Sequence, residues 1–129
     1  MPEPRFLTRA EVCYLHAQSL RRFGGGEGVR DPGLVDSALA SAMNAALYGG
    51  GDLFDVAAAY AFHLAESQAF LDGNKRVGSA SALAFLRLNG HPVLEDDGSL
   101  YDGMIAIANK QMNKAGLAEV LLRLALSKI

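Results

Sequence analysis

One cysteine in 129 residues excludes an internal disulfide and any zinc site built on a cysteine cluster. Cys13 lies in an amphipathic stretch and reads as a small core residue. Neither sign of charge dominates: 12 Lys plus Arg stand against 14 Asp plus Glu, a formal charge of −2. No global basic field exists to grip nucleic acid or an anionic lipid surface, so neither partner is expected. Long apolar runs are missing too. Val56 to Phe62 is the longest, against the roughly 20 residues of a spanning helix. Met1 to Leu7 lacks the apolar segment of a secretory signal. Internal repeats, low-complexity tracts and long linkers are absent. What is present is 50% hydrophobic and 20% charged, enough for a packed core in one domain over residues 1–129, expected in the cytoplasm.

Almost every segment reads as helix. Thr8 with Glu11 three positions later spells a capping box, and Val12, Leu15, His16 or Ser19, Leu20 and Phe23 recur at helical spacing until Gly24-Gly25-Gly26. Asp31-Pro32 writes a second start, a cap followed by proline at the first helical position, with the helix running to about Leu47. Asp52 opens a third helix, whose alanines let another helix approach closely. A fourth over Asn74 to Asn89 buries Val77, Ala80, Ser81, Leu83, Ala84 and Leu88. His91 to Ser99 is the one weakly extended piece. Ser99 with Asp102 caps a fifth helix to about Met112, and a sixth runs from about Gly116 to Ser127. The fold class is all-α, a compact bundle of about six short helices.

One segment does not read as scaffold. Ser67 to Arg76 is a short loop whose Asp72, Gly73 and Asn74 abut a helix start carrying Lys75 and Arg76. A helix N-terminus presents unpaired amides and partial positive charge, so two cations in its first turn oppose the dipole. A bound phosphate explains that arrangement. Gly73 lets backbone approach the anion, Asn74 can orient it, Asp72 can hold Mg2+ against phosphate oxygens, and Phe70 pins the loop from below. The bland reading stands beside it: Asp72 caps the helix and the two cations are solvated in an ordinary surface turn.

The run Phe70-Leu71-Asp72-Gly73-Asn74-Lys75-Arg76 resembles the signature of the Fic/Doc family, His-x-Phe-x-Asp/Glu-Gly-Asn followed by Gly-Arg or Lys-Arg. Arg30 to Leu34, Asp52 to Asp55 and Ala84 to Gly90 are also similar to its Doc (death on curing) branch. Lys75 and Ser79, where Fic adenylyltransferases carry glycine and a second arginine, point the same way. The resemblance implies a Fic/Doc-like fold and a toxin that moves the γ-phosphate of ATP to a hydroxyl of elongation factor Tu. It also implies a cognate antitoxin that lays a helix in a groove beside the site. It assigns Mg2+ to Asp72, the phosphate cradle to Gly73 and Asn74, and charge neutralisation to Lys75 and Arg76.

Gln68 departs from the pattern, for it stands where the family carries its histidine base, and an amide accepts no proton near neutrality. A second reading is therefore a degenerate binding module that keeps nucleotide or antitoxin binding without chemistry; AMP transfer is a third. His63, five residues upstream, lies roughly 140° around the helix from position 68 and reads as a partly buried helix residue. His16 reads as packing on the first helix, His91 as part of a turn. Arg30 and Asp31 read as serving a helix start.

Overall fold

In a computed structural model the chain forms six helices: α1 (Arg9–Phe23), α2 (Pro32–Leu47), α3 (Leu53–Ser67), α4 (Asn74–Leu88), α5 (Ser99–Ala108) and α6 (Lys114–Leu126). The structure describes residues 4–94 and 96–126, and among these there is no strand, only an isolated antiparallel bridge between Val29 and Phe70.

Local chemistry sets the first three helix starts. Thr8 and Glu11 form the reciprocal capping box, Asp31 accepts the Gly33 amide ahead of Pro32, and Asp52 pairs with Asp55 in a second box. Each satisfies amides that a helix start leaves without partners. Helix α3 is the centre of the bundle, packed by α4, α2 and α6. Val56 to Ala61 and Leu64 are all buried, and so many alanines leave room for neighbours on several sides. Tyr60 is wholly buried; its hydroxyl accepts the Leu7 N–H at 2.9 Å and its ring meets Phe85 at 5.2 Å. Burial pushes the Tyr60 phenol up from its ordinary pKa.

The later helices differ in detail from the spacing argument. On α4 the buried stripe is Val77, Gly78, Ser81, Ala82, Phe85 and Leu86, and Leu88 is 46% exposed. The deciding contact is non-local: a Cβ on Gly78 would lie 2.6 Å from the Ala61 carbonyl oxygen, so α4 turns this face to α3. Helix α5 is capped by Gly98 in a left-handed conformation, without a side-chain cap; Ser99 bonds Asp97 instead. It ends at Ala108, before Lys110 at φ 60°. Helix α6 starts earlier than its glycine suggests, because the Asn113 carboxamide oxygen accepts the Gly116 N–H at 2.9 Å; Ser127 lies outside the described residues. The 91–99 segment carries no strand, and Glu95 within it lies outside the described residues. No helix among the described residues is long and apolar enough to cross a membrane.

Gly78→Ala tests the α3–α4 contact. Its methyl meets backbone, which cannot swing aside, and the Met104 methyl at 3.3 Å. Urea denaturation should show a loss of about 1–3 kcal/mol; unchanged stability would mean the two helices can separate freely.

Candidate functional site

The chain between α3 and α4 is held from three directions. Gln68 ends α3 in the left-handed region, φ 53° and ψ 37°, which costs a residue with a Cβ roughly 1–2 kcal/mol. Arg30 compensates: its Nε donates to the Gln68 carbonyl at 2.7 Å, and the Arg30 and Asp31 amides donate to the Ala69 carbonyl at 2.8 and 3.1 Å. The Leu71 N–H reaches the Gly28 carbonyl at 3.2 Å, so the α1–α2 loop runs along the outside of the motif.

Phe70 lies beneath the loop, 2% exposed, and stacks on His16 at a centroid distance of 4.0 Å. The Asn74 side chain, 8% exposed as a residue, turns inward. Its Oδ1 accepts the Phe70 N–H and its Nδ2 donates to the Phe70 carbonyl, both at 3.1 Å, with a longer 3.4 Å reach to Gln68 Oε1. Asn74 thus staples the loop with its side chain. Gln68 Nε2 donates back to the Ala65 carbonyl at 3.0 Å.

The outer surface of the loop is electrostatically distinct. Asp72 is exposed, its Oδ1 accepting the Gly73 N–H at 2.8 Å and its Oδ2 the Gly26 N–H at 3.2 Å. Those two amides, Gly73 first, with the nearby Arg76 charge, hold its carboxyl below the ordinary 3.8. Gly73, at φ 75°, starts α4 without a side-chain cap. The amides of Asn74, Lys75 and Arg76 find no acceptor among the described residues. Neither Lys75 nor Arg76 pairs with a carboxylate there; the Arg76 guanidinium lies 4.5 Å from the Phe23 ring centroid, and Arg22 shares that ring at 5.1 Å. Gln68, Asp72, Asn74, Lys75 and Arg76 line one open depression of about 220 Å³, with Tyr101 of α5 on its rim.

A sequence model of the Fic/DOC family matches residues 6–86. The chain is 34% identical over 121 residues to "Protein kinase doc" of Escherichia phage P1, covering 93% of this chain and 95% of that one. It is 44% identical over 94 residues to "Toxin Doc" of Mycolicibacterium smegmatis, covering 70% of this chain and 69% of its relative. The chain belongs to the Fic/DOC family.

In this Fic/DOC protein Gln68, Asp72, Gly73, Lys75 and Arg76 share one depression. The Asn74 side chain, expected to orient an anion, is spent on the Phe70 backbone instead. The structure also adds supports from afar. His16 of α1 and Arg30 of the α1–α2 loop bond the Asp72 and Gln68 carbonyls, and Tyr101 of α5 lines the depression. The local sequence shows neither the His16 bond nor the Arg30 bond to the motif loop, because each acts through a partner distant in the chain. No three His, Cys, Asp or Glu side chains among the described residues form a metal cluster, so Asp72 offers a lone carboxylate. Free amides, two unpaired cations and one ionised carboxylate make a surface suited to a phosphate chain carrying a divalent ion.

His63 faces elsewhere. Its Nε2 lies 3.2 Å from Lys114 Nζ and, since an ammonium only donates, accepts that hydrogen bond. Burial, and then the Lys114 charge, lower its pKa from the ordinary 6.5. The unfolded chain therefore takes up a proton that the folded one resists. The stability linked to His63 is complete above about pH 6.5 and declines as the pH falls towards its folded value. His63→Gln should flatten the drop in unfolding free energy between about pH 7.5 and 5. Parallel profiles for the two proteins would place the titration elsewhere.

Proposed function

We propose that this protein is a Doc-like toxin that transfers the γ-phosphate of ATP to a hydroxyl of a translation protein such as elongation factor Tu. The observation that carries the reading is the uncapped start of α4: three amides without acceptors beside Lys75 and Arg76, neither paired with an acid. Two cations opposing a helix dipole sacrifice about 0.3–1 kcal/mol each when nothing anionic is bound. A triphosphate removes that conflict. The names of the two relatives, one a kinase and one a toxin, support the same direction.

Phosphoryl transfer passes through a loose transition state whose charge spreads over the equatorial oxygens, so alignment and neutralisation dominate. The free amides and Lys75 would hold the phosphates, and Arg76 would meet the developing charge. Asp72 fits Mg2+, which is commonly held by one or two carboxylates together with substrate phosphates, and the ion would offset the charge of the polyphosphate. Gln68 can orient the attacking hydroxyl through its amide but cannot take its proton, a loss worth about 10²–10⁴-fold in rate. The partner expected for such a toxin is an antitoxin helix. The groove of about 450 Å³ between α1, α4 and α5, lined by Leu15, Phe23, Arg76, Leu83 and Tyr101, is its candidate seat.

A second reading, a binding module without chemistry, is favoured by Gln68 itself, whose amide is tied to Ala65 and Asn74. Transfer from γ-³²P-ATP with Mg2+ into a bacterial lysate containing elongation factor Tu separates the readings. The proposed kinase labels one protein, slowly, and Lys75→Ala abolishes the label while thermal stability holds or rises slightly. Label appearing only after Gln68→His would assign the module. Label from α- but not γ-labelled ATP would assign AMP transfer. A clear loss of stability in Lys75→Ala would make Lys75 a structural residue.

A further inference from the structure

His16 is the one imidazole turned into the motif loop. It sits on α1, 4% exposed, and its Nε2 lies 2.7 Å from the Asp72 carbonyl oxygen. A carbonyl carries no proton, so Nε2 must donate. Its ring meanwhile lies nearly parallel to Phe70, at 23°, so the same side chain touches the loop's buried anchor and its exposed turn.

What that hydrogen bond holds is a peptide plane. No peptide bond among the described residues is cis, so the Asp72 carbonyl and the Gly73 N–H point in opposite directions across one rigid unit. The carbonyl edge is fixed by His16. The amide edge donates to Asp72 Oδ1 at 2.8 Å, and the other carboxylate oxygen takes the Gly26 N–H. Rotation of this plane would carry the Gly73 amide away from the carboxylate and free the Asp72 side chain to leave the depression. Glycine at 73, already in the left-handed region, offers little intrinsic resistance to such a rotation. The restraint has to come from outside the loop.

We infer that His16 is a positioning residue: by donating Nε2–H to the Asp72 carbonyl it orients the Asp72–Gly73 peptide, and through it the Asp72 carboxylate that faces the phosphate site. The inference rests on the proposed nucleotide function for its metal and phosphate, but the strut itself is a property of the protein alone.

Two variants divide its parts. His16→Met keeps bulk and a favourable contact with the Phe70 ring but has no donor. His16→Gln restores a donor near the position of Nε2. In ¹⁵N-labelled wild-type protein at neutral pH, the imidazole spectrum should show the proton on Nε2, and Gly73 amide exchange should be protected. In His16→Met that exchange should quicken by about fivefold or more, the factor expected for one hydrogen bond, and the Mg2+ concentration needed for half-maximal ATP binding should rise similarly. His16→Gln should recover most of both. Unchanged Gly73 exchange in His16→Met, a proton on Nδ1 alone, or equal losses in Met and Gln variants would overturn the strut. If the wild-type protein binds no ATP with Mg2+, the nucleotide reading falls, and Gly73 exchange with the imidazole spectrum still decides the role of His16.

Discussion

Helices α3 and α4 meet through alanine and glycine, close enough that a single methyl on Gly78 would lie 2.6 Å from a backbone oxygen of α3. That approach dictates the geometry of everything attached to it. The connection must reverse direction in a few residues, and it does so with left-handed conformations at both ends, Gln68 and Gly73. So short a turn exposes backbone groups that neither helix can satisfy. The surrounding chain supplies the partners: Arg30 for the Gln68 carbonyl, the Arg30 and Asp31 amides for Ala69, Asn74 for both polar groups of Phe70, and His16 for the carbonyl of Asp72. The close helix contact is the constraint, and the site is the set of polar groups it forces into the open.

The unpaired groups divide by side. Beneath the loop nearly all find partners, because a buried unmet amide or carbonyl costs about 1–3 kcal/mol. On the outer side the amides of residues 74–76 have no acceptor among the described residues, and no side-chain cap is present. Helices α1, α2 and α3 start on Thr8, Asp31 and Asp52 as caps; α4 and α5 both start on a left-handed glycine without a side-chain cap, and of these two α4 alone follows it with two cations. Two cations beside free amides, rather than the missing cap, are what set the start of α4 apart.

The sequence made the first three helix starts legible, because capping chemistry lies within four residues and needs no knowledge of the fold. On α4 Val77 and Ser81 are buried as their spacing predicts, whereas Phe85 and Leu86, not Leu88, complete the face: Leu83, Phe85, Leu86 and Leu88 offer overlapping stripes, and only the fit of Gly78 against Ala61 selects one. The motif residues at 68–76 were legible as a group for the same local reason, whereas the supports were not. His16 touches Asp72 across 56 positions, and Arg30 reaches Gln68 across 38. In the sequence one resembles helix packing and the other a helix start. Arg30 does precede a cap, but its guanidinium closes the end of α3.

Position 68 brings the physical argument to its narrowest point. The backbone there is fixed by the left-handed turn and by Arg30, whatever side chain follows, so a histidine or a glutamine would project from the same place over the same depression. Exchanging one for the other therefore changes proton affinity more than position. A general base contributes about 10²–10⁴-fold, about 3–5 kcal/mol of barrier, whereas holding the reactants in register can contribute about 7–11 kcal/mol. For the proposed phosphotransfer, a frame that keeps Asp72 to Arg76 in place without a base at 68 would retain the larger of the two terms. On that proposal the supports below the loop, more than the residue at 68, would set how much of the rate survives.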